Sequence, residues 1–195
     1  MISGLMFPKN FTQVFASCSQ DEIRLWSPAN QKELLRIELS QGSHQDFTKS
    51  NCVQFMADGK SLISGWTDGK IRAFMPQSGK LFWIINNAHQ EGTKDFGGVL
   101  CLTSTTAGDY VLSGGSDGEV RLWAIGKQVK KLQSAQKVHK GPITGVALVD
   151  PQNESRCASC SLDGSIIIWA LRKFQILEKI KYVSIPVSIQ ADESQ

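Results

Sequence analysis

Internal repetition is the feature that most limits how this chain can fold. Four aligned segments read ASCSQDEIRLW, SGWTDGKIRAF, SGGSDGEVRLW and SCSLDGSIIIW, and they end at Trp26, Phe74, Trp123 and Trp169. These closing aromatic residues lie 48, 49 and 46 residues apart. A fixed period of this size is typical of proteins in which one supersecondary unit packs against the next. The sequence therefore predicts four similar units in a row.

Each repeat is predicted to contain a β-hairpin. The pairs Asp68-Gly69, Asp117-Gly118 and Asp163-Gly164 predict two-residue turns, because such turns need positive φ, which Gly takes without steric cost and Asp tolerates. β-rich runs flank each turn. A gapless alignment puts Gln20-Asp21 at the turn of the first repeat and Ala16 where the later repeats have serine.

Two more strands complete each predicted unit. An outer strand follows each closing aromatic residue. An inner strand precedes the hairpin by about a dozen residues, and counting back twelve positions reaches the small residues Gly4, Cys52, Cys101 and Ala147. Small side chains suit a crowded inner strand. Four antiparallel strands per repeat is the pattern of a β-propeller blade.

The sequence thus predicts an all-β fold, a partial propeller of about four blades. The propeller segment is expected to span 1–189, with a polar tail at 190–195, and the blades to cover about 1–40, 41–87, 88–136 and 137–183. Four blades leave two open sheet edges unless they close into a small ring. Three interpretations stay open: a fragment or short isoform, a chain completed by blades from another chain, or a ring of four.

The repeats resemble WD repeats, which share a buried hydrogen-bonded set of His, Ser or Thr, Asp and Trp. The residues that match this set are His44, Ser64 and Asp68 in the second repeat, His89, Ser113, Asp117 and Trp123 in the third, and His139, Ser159, Asp163 and Trp169 in the fourth. Phe74 replaces the tryptophan of the second repeat. The first repeat has Ala16 and Gln20 at the Ser and Asp positions, so apolar packing is expected to hold that blade.

Catalysis by these Ser, His and Asp residues is the alternative interpretation. A catalytic triad occurs once, with an exposed serine in a strained turn, whereas here the residue types recur at a fixed period. Cys157 and Cys160 form a C-x-x-C pair, but a zinc site needs a second pair of ligands. We therefore expect no catalytic, cofactor or metal site, and no enzyme activity.

Two groups of basic residues are candidates for partner binding. Lys127, Lys130, Lys131, Lys137 and Lys140 fall within 14 residues that contain no acid. They form either a patch for an acidic partner or a solvated outer strand. Arg24, Arg72 and Arg121 each precede a closing aromatic residue by two positions. They form either a basic row for phosphate or, as we expect, structural residues whose stems pack between blades while the heads reach solvent.

Bulk composition narrows the class of protein. The apolar fraction is 41%, the charged fraction 20% and the net charge +3, as in an ordinary globular chain. No apolar run is long enough to cross a membrane, and the first residues do not resemble a secretory signal. Five cysteines in such a chain predict free thiols in a reducing compartment. Neither nucleic acid nor membrane is an expected partner.

Longer segments resemble one WD-repeat family in particular, that of cilia- and flagella-associated protein 52, also called WD-repeat protein 16. They are Asp58 to His89, Cys18 to Trp26 with Lys32 to Ile37, and Gly118 to Leu132. The resemblance implies a non-catalytic scaffold inside the doublet microtubules of the ciliary or flagellar axoneme, with tubulin and other luminal proteins as partners. The alternative is a general WD-repeat adaptor in a cytosolic complex.

Overall fold

The computed structural model describes residues 2–8, 13–39, 48–56, 59–90, 96–126, 130–150, 153–182, 186 and 188–189. Over these residues the chain forms sixteen β-strands in four sheets, each with four strands. The paired strands run antiparallel to one another. The predicted all-β fold with four strands per repeat is confirmed.

The four sheets follow one another along the chain. Sheet one contains β1 (Ile2–Met6), β2 (Phe15–Ser19), β3 (Glu22–Ser27) and β4 (Lys32–Glu38). Sheet two contains β5 (Ser50–Phe55), β6 (Leu62–Trp66), β7 (Ile71–Phe74) and β8 (Leu81–Ile85). Sheet three contains β9 (Val99–Ser104), β10 (Tyr110–Gly115), β11 (Glu119–Ile125) and β12 (Lys130–Lys137). Sheet four contains β13 (Ile143–Leu148), β14 (Arg156–Ser161), β15 (Ser165–Ala170) and β16 (Gln175–Lys181). The predicted tail at 190–195 lies outside the described residues.

Strand order within each sheet follows the order of the chain. In all four sheets the pairing of the third strand with the fourth has the same irregularity. The register shifts just before Trp26, Phe74, Trp123 and Trp169. Such a shift is a β-bulge, which bends a strand and redirects a side chain. Each repeat therefore places its closing aromatic residue by the same local device.

The chain divides into two compact units, Met1–Val99 and Leu100–Gln195. In the first unit, one face of sheet one contributes Ile23 and Leu25 to a core that contains Val53, Trp66 and Phe74 of sheet two. In the second unit, sheets three and four share a core. Its members include Leu112, Val120, Leu122, Ile143, Ile167 and Trp169. Each core lies between two sheets, as the repeat pattern requires.

The hairpin turns differ from the prediction. Each Asp-Gly pair belongs to a three-residue loop in which the glycine N–H donates to a carbonyl three residues earlier, as from Gly69 to Trp66. Gly69, Gly118 and Gly164 have φ of 73°, 76° and 78°. The aspartates do not share the positive φ. This is the three-residue hairpin loop with Gly in the left-handed position, and the prediction of two-residue turns was wrong for these repeats.

A glycine faces a cysteine where the first two strands of each sheet meet. Gly4 pairs with Cys18, Cys52 with Gly65, and Gly145 with Cys160. A Cβ on Gly114 would lie 2.7 Å from the Cys101 sulfur, so sheet three has the same arrangement. The inner position of sheet four is therefore Gly145 rather than the predicted Ala147, because the connection between the paired residues Leu148 and Cys157 is two residues longer than that between Phe55 and Leu62 in sheet two.

Candidate functional site

A chain of hydrogen bonds crosses the buried side of sheet four. Trp169 Nε1 donates to Ser159 Oγ (2.9 Å), and Ser159 Oγ lies 2.8 Å from His139 Nε2. The other ring nitrogen, Nδ1, lies 2.9 Å from Ser165 Oγ, which in turn donates to Asp163 Oδ1 (2.5 Å). Every donor has an acceptor if the Ser159 hydroxyl donates to Nε2 and the histidine carries its proton on Nδ1. The geometry therefore favours a neutral His139.

The pKa values of His139 and Asp163 are both lowered, for different reasons, and both shifts favour a neutral histidine beside an ionised aspartate. Burial lowers the pKa of His139, and it outweighs the carboxylate of Asp163, which acts to raise it. Partial burial acts to raise the pKa of Asp163, but hydrogen bonds from Ser165 and from the Lys140 N–H hold it well below its usual range. The network thus holds a neutral imidazole beside an ionised carboxylate.

The turn aspartates have a second partner that depends on the repeat. Each accepts a hydrogen bond from the backbone N–H two residues later, as Asp68 does from Lys70, Asp117 from Glu119, and Asp163 from Ser165. In sheets two and three an arginine four residues later also pairs with the aspartate. Ile167 takes that position in sheet four, and Asp163 Oδ2 instead accepts from the Lys140 N–H.

Sheet three repeats the hydrogen bond between the closing tryptophan and the serine. Trp123 Nε1 donates to Ser113 Oγ (2.9 Å). His89 is buried, and its backbone N–H donates to the Gly69 carbonyl within the first unit.

In sheet two the serine has a donor that the sequence analysis missed. Trp66 Nε1 donates to Ser64 Oγ (2.7 Å), so Trp66 supplies the indole that Phe74 cannot. The guanidinium of Arg72 lies 5.2 Å from the Trp66 ring centroid. The available signal was a tryptophan two residues after the serine in the repeat that closes with phenylalanine. His44 lies outside the described residues.

Sheet one corrects the predicted alignment. Ser17 pairs with Arg24 across the hairpin, as Ser64 pairs with Arg72, so Ser17 rather than Ala16 holds the serine position. Trp26 Nε1 donates to Ser17 Oγ (2.8 Å). The gapless alignment failed because the Gln20-Asp21 turn is one residue shorter than the other turns. The expectation that this blade relies on apolar packing alone was therefore wrong.

Burial limits the chemistry open to these groups. Ser64, Ser113 and Ser159 have no exposed surface. Cys157 lies in the core beside Trp169, and burial raises the pKa of its thiol to about 12. Cys160 lies on the opposite side of β14, with its sulfur 3.2 Å from Thr144 Oγ1. The two cysteines of the C-x-x-C pair therefore do not converge on one site.

The structure spreads the predicted lysine cluster along β12. Lys130 lies at one end, where its ammonium group donates to the Gly126 carbonyl (2.6 Å) and burial lowers its pKa. Lys137 lies at the other end, opposite Glu119. Lys131, Lys137 and Lys140 are exposed, and Lys127 lies outside the described residues. A strand of this length spans over 20 Å, so these lysines do not form one compact site.

The three arginines before the closing aromatic residues are paired with acids. Arg24 contacts Glu22 and Glu33, and Arg72 contacts Asp68 at 2.6 Å. Arg121 contacts Glu119 at 2.8 Å. The three guanidinium groups are therefore paired with carboxylates and do not form a free row that could bind phosphate.

One face of sheet one carries stacked aromatic rings. The Phe7 and Phe15 centroids lie 5.0 Å apart, and those of Phe15 and Trp26 lie 6.2 Å apart. Phe7 is 50% exposed, and the other two are partly buried. The equivalent residues Phe74 and Trp169 are packed into the cores of their units. The rings are thus an apolar surface of a type that other sheets of this chain bury.

Among the described residues, no helix is long and apolar enough to cross a membrane.

Comparison with known proteins agrees with the repeat architecture. The family model "WD domain, G-beta repeat" matches residues 87–124 and 126–170. Cilia- and flagella-associated protein 52 from Homo sapiens is 39% identical over 170 residues, which are 87% of this chain and 25% of that protein. The Chlamydomonas reinhardtii protein of the same name is 41% identical over 174 residues, 89% of this chain and 26% of that protein. A guanine nucleotide-binding protein subunit beta from Solanum tuberosum is 30% identical over 122 residues, 62% of this chain and 31% of that protein.

The chain spans about a quarter of the length of the cilia- and flagella-associated relatives that it matches. Its four sheets, its repeated Ser–Trp hydrogen bonds and these similarities agree with one another. The chain therefore contains WD repeats and is similar over most of its own length to cilia- and flagella-associated protein 52.

Proposed function

We propose that this chain is a non-catalytic structural scaffold of cilia and flagella. In this proposal it is a microtubule inner protein that lies in the axonemal cytoskeleton and binds tubulin and other luminal proteins of the doublet. The observation that carries the proposal is the 39% identity to human cilia- and flagella-associated protein 52 over 87% of this chain. The identical residues include many besides those that WD repeats have in common.

The chemistry of the buried residues supports a non-catalytic role. Ser159 and His139 are buried, and each forms hydrogen bonds with two partners. A nucleophilic serine has to reach a substrate, and Ser159 instead holds Trp169 and His139 in place. Among the described residues, no group of three or more His, Cys, Asp or Glu is arranged to hold a metal ion.

The aromatic face of sheet one supports a role in assembly. The rings of Phe74 and Trp169 are buried in cores that include aliphatic side chains of the preceding sheet. Phe7, Phe15 and Trp26 offer the same kind of surface with Phe7 half exposed. A partner in the doublet, or a chain that supplies further blades, would bury these rings.

Fractionation of flagella tests the proposal. A tagged full-length chain, expressed in a flagellated cell, is expected to stay with the doublet microtubules after the axoneme is extracted with salt, and to cross-link to tubulin. The Phe7→Asp variant is expected to be lost from the doublets. Leu177→Asp is the matched control, because Leu177 is similarly exposed, at 56%, but lies on β16. Recovery of the wild type only in soluble cytosol or in the nucleus would contradict the proposal.

A WD-repeat adaptor of a cytosolic complex is the second candidate. The similarity to a guanine nucleotide-binding protein subunit beta favours it, since that similarity covers 62% of this chain. Affinity purification separates the two candidates. Signalling or ligase subunits without tubulin would support the adaptor, and tubulin with doublet proteins would support the scaffold.

A further inference from the structure

Three exposed lysines gather at one end of sheet four, although they are distant in sequence. Lys140 lies in the connection that enters the sheet, and Lys179 and Lys181 lie on β16. Side chains two residues apart on a strand point to the same face, so Lys179 and Lys181 share one. We call these three residues the lysine patch.

Hydrogen bonds hold the elements of the lysine patch together. The Lys140 N–H donates to Asp163 Oδ2 (2.7 Å), which fixes the connection on the 161–164 turn. The Tyr182 N–H donates to the Gly164 carbonyl (2.8 Å), which fixes the end of β16 on the same turn. The Lys179 ammonium group reaches the Val138 carbonyl (3.5 Å). All three lysines are therefore attached to one short turn or to the segment beside it.

The lysine patch is not neutralised by carboxylates of the described residues, although Lys179 donates to the Val138 carbonyl. The ion pairs found among the described residues do not involve these three lysines, whereas Arg24, Arg36, Arg72, Arg121 and Arg156 are each paired with carboxylates. The carboxylate of Asp163, on the turn that holds the patch, is turned inward toward Ser165 and the Lys140 N–H. Glu178 alternates with the two β16 lysines and so lies on the opposite face.

Two exposed apolar side chains border the lysine patch. Leu162 belongs to the 161–164 turn and is 42% exposed, and Tyr182 follows Lys181 and is 52% exposed. A partner with both acidic and apolar side chains would complement this combination of positive charge and exposed apolar surface.

We propose that the lysine patch, with Leu162 and Tyr182, binds an acidic segment of a partner protein. The partner's carboxylates would pair with the lysines and an apolar side chain would contact Leu162 or Tyr182. The patch has no arginine, the residue that forms bidentate contacts with phosphate, so a peptide fits better than a nucleic acid. The lysine patch shares no residue with the aromatic face of sheet one, and the inference does not depend on the axonemal role.

Peptide binding by the full-length chain tests the proposal. The probe is a fluorescein-labelled, glutamate-rich peptide with one central leucine, and binding is read by fluorescence anisotropy. The double variant Lys140→Ala/Lys181→Ala is expected to weaken binding about tenfold, since each exposed ion pair contributes up to about 1 kcal/mol. The control Lys131→Ala/Lys173→Ala removes the same charge from exposed lysines elsewhere, and is expected to bind within about twofold of the wild type.

Two further measurements make the outcome decisive. The charge-preserving variant Lys140→Arg/Lys181→Arg is expected to retain binding, and the probe with glutamine in place of glutamate is expected not to bind. Absence of binding by the wild type, or an equal loss in the control variant, overturns the proposal. Tighter binding of a single-stranded oligonucleotide that is lost in Lys140→Ala/Lys181→Ala also overturns it, because the patch would then be a nucleic-acid surface.

Discussion

Sheets one and four share a strand order and a closing tryptophan, but they are stabilised differently. Trp169 begins a buried chain of hydrogen bonds through Ser159, His139 and Ser165 to Asp163. Trp26 has the serine partner, Ser17, at 2.8 Å. Beyond it, sheet one has a surface ladder in which Glu22 and Glu33 alternate with Arg24 and Arg36.

The comparison shows that one backbone pattern can rest on two kinds of polar interaction. Buried hydrogen bonds are costly to break because the remaining groups lose both partner and water. Exposed ion pairs contribute little each and weaken in salt. Sheet four should therefore respond strongly to single changes and sheet one weakly.

Truncation of His139 should give the largest difference between the two sheets. His139→Ala leaves the Ser159 hydroxyl and the Ser165 oxygen without their buried partner, so we expect the free energy of unfolding to fall by about 3 kcal/mol. Ser17→Ala, which removes the serine partner of Trp26 in sheet one, should cost about 1 kcal/mol. Urea unfolding followed by tryptophan fluorescence measures both. An equal or larger loss in Ser17→Ala would break the comparison.

Replacement of each closing tryptophan by phenylalanine should have a smaller effect. Trp169→Phe removes the indole N–H from Ser159 and leaves a small void, at a cost of about 2 kcal/mol. Trp26→Phe affects a partly exposed ring and should cost less than about 1 kcal/mol. Sheet two already has phenylalanine, Phe74, at the equivalent position, and there Trp66 donates the hydrogen bond to Ser64 instead. Thermal unfolding of the two variants decides the order, and the reverse order would count against it.

Acid should weaken sheet four through His139. Burial lowers the pKa of His139 in the folded protein, so the unfolded chain takes up the proton first, at about pH 6.5. The contribution of the neutral histidine to stability is therefore fully present above about pH 6.5 and is lost as the pH falls from there through the lower pKa of the folded protein. We expect urea midpoints to fall between about pH 7 and pH 5. His139→Asn should show a shallower fall, and identical slopes would argue against this role.

Removal of a surface charge in sheet one should give the smallest effect. Glu22 accepts from Arg24 at 2.6 Å, and Glu22→Gln should lower the free energy of unfolding by about 0.5 kcal/mol. The difference should vanish in about 1 M salt, where exposed charges are screened. The loss in His139→Ala should persist there. A salt-resistant loss in Glu22→Gln would mean that the ladder is more than a surface feature.

Much of the fold could be predicted because its signal repeats. The closing aromatic residues and the Asp-Gly pairs place four hairpins, and β-rich runs place their partner strands. The length of the first turn could not be predicted, since Ala16 and Ser17 both offer a plausible alignment and only strand pairing selects Ser17. Likewise, a connection between β13 and β14 that is two residues longer than the one between β5 and β6 moved the inner position from Ala147 to Gly145.

The candidate sites were less predictable because they depend on neighbours in space. Ser165 was overlooked since the general WD pattern has no serine there, yet it lies between His139 and Asp163. Lys179 and Lys181 join Lys140 through the 161–164 turn, a proximity that sequence distance hides. The charge run that the sequence suggested instead follows a single strand, whose two ends are far apart.

The pairing of one glycine with one cysteine bears on how these repeats can diverge. The cysteine is on the second strand in sheets one and four, but on the first strand in sheet two. A Cβ on Gly65 would lie 2.6 Å from Val99 Cγ1 and 2.8 Å from the Cys52 sulfur, so these positions cannot all be large at once. Selection therefore acts on the combined volume of the glycine, the cysteine and the side chain packed on them. Related sequences should exchange the residue types in a coordinated way, and a single larger replacement should survive only after its neighbours have become smaller.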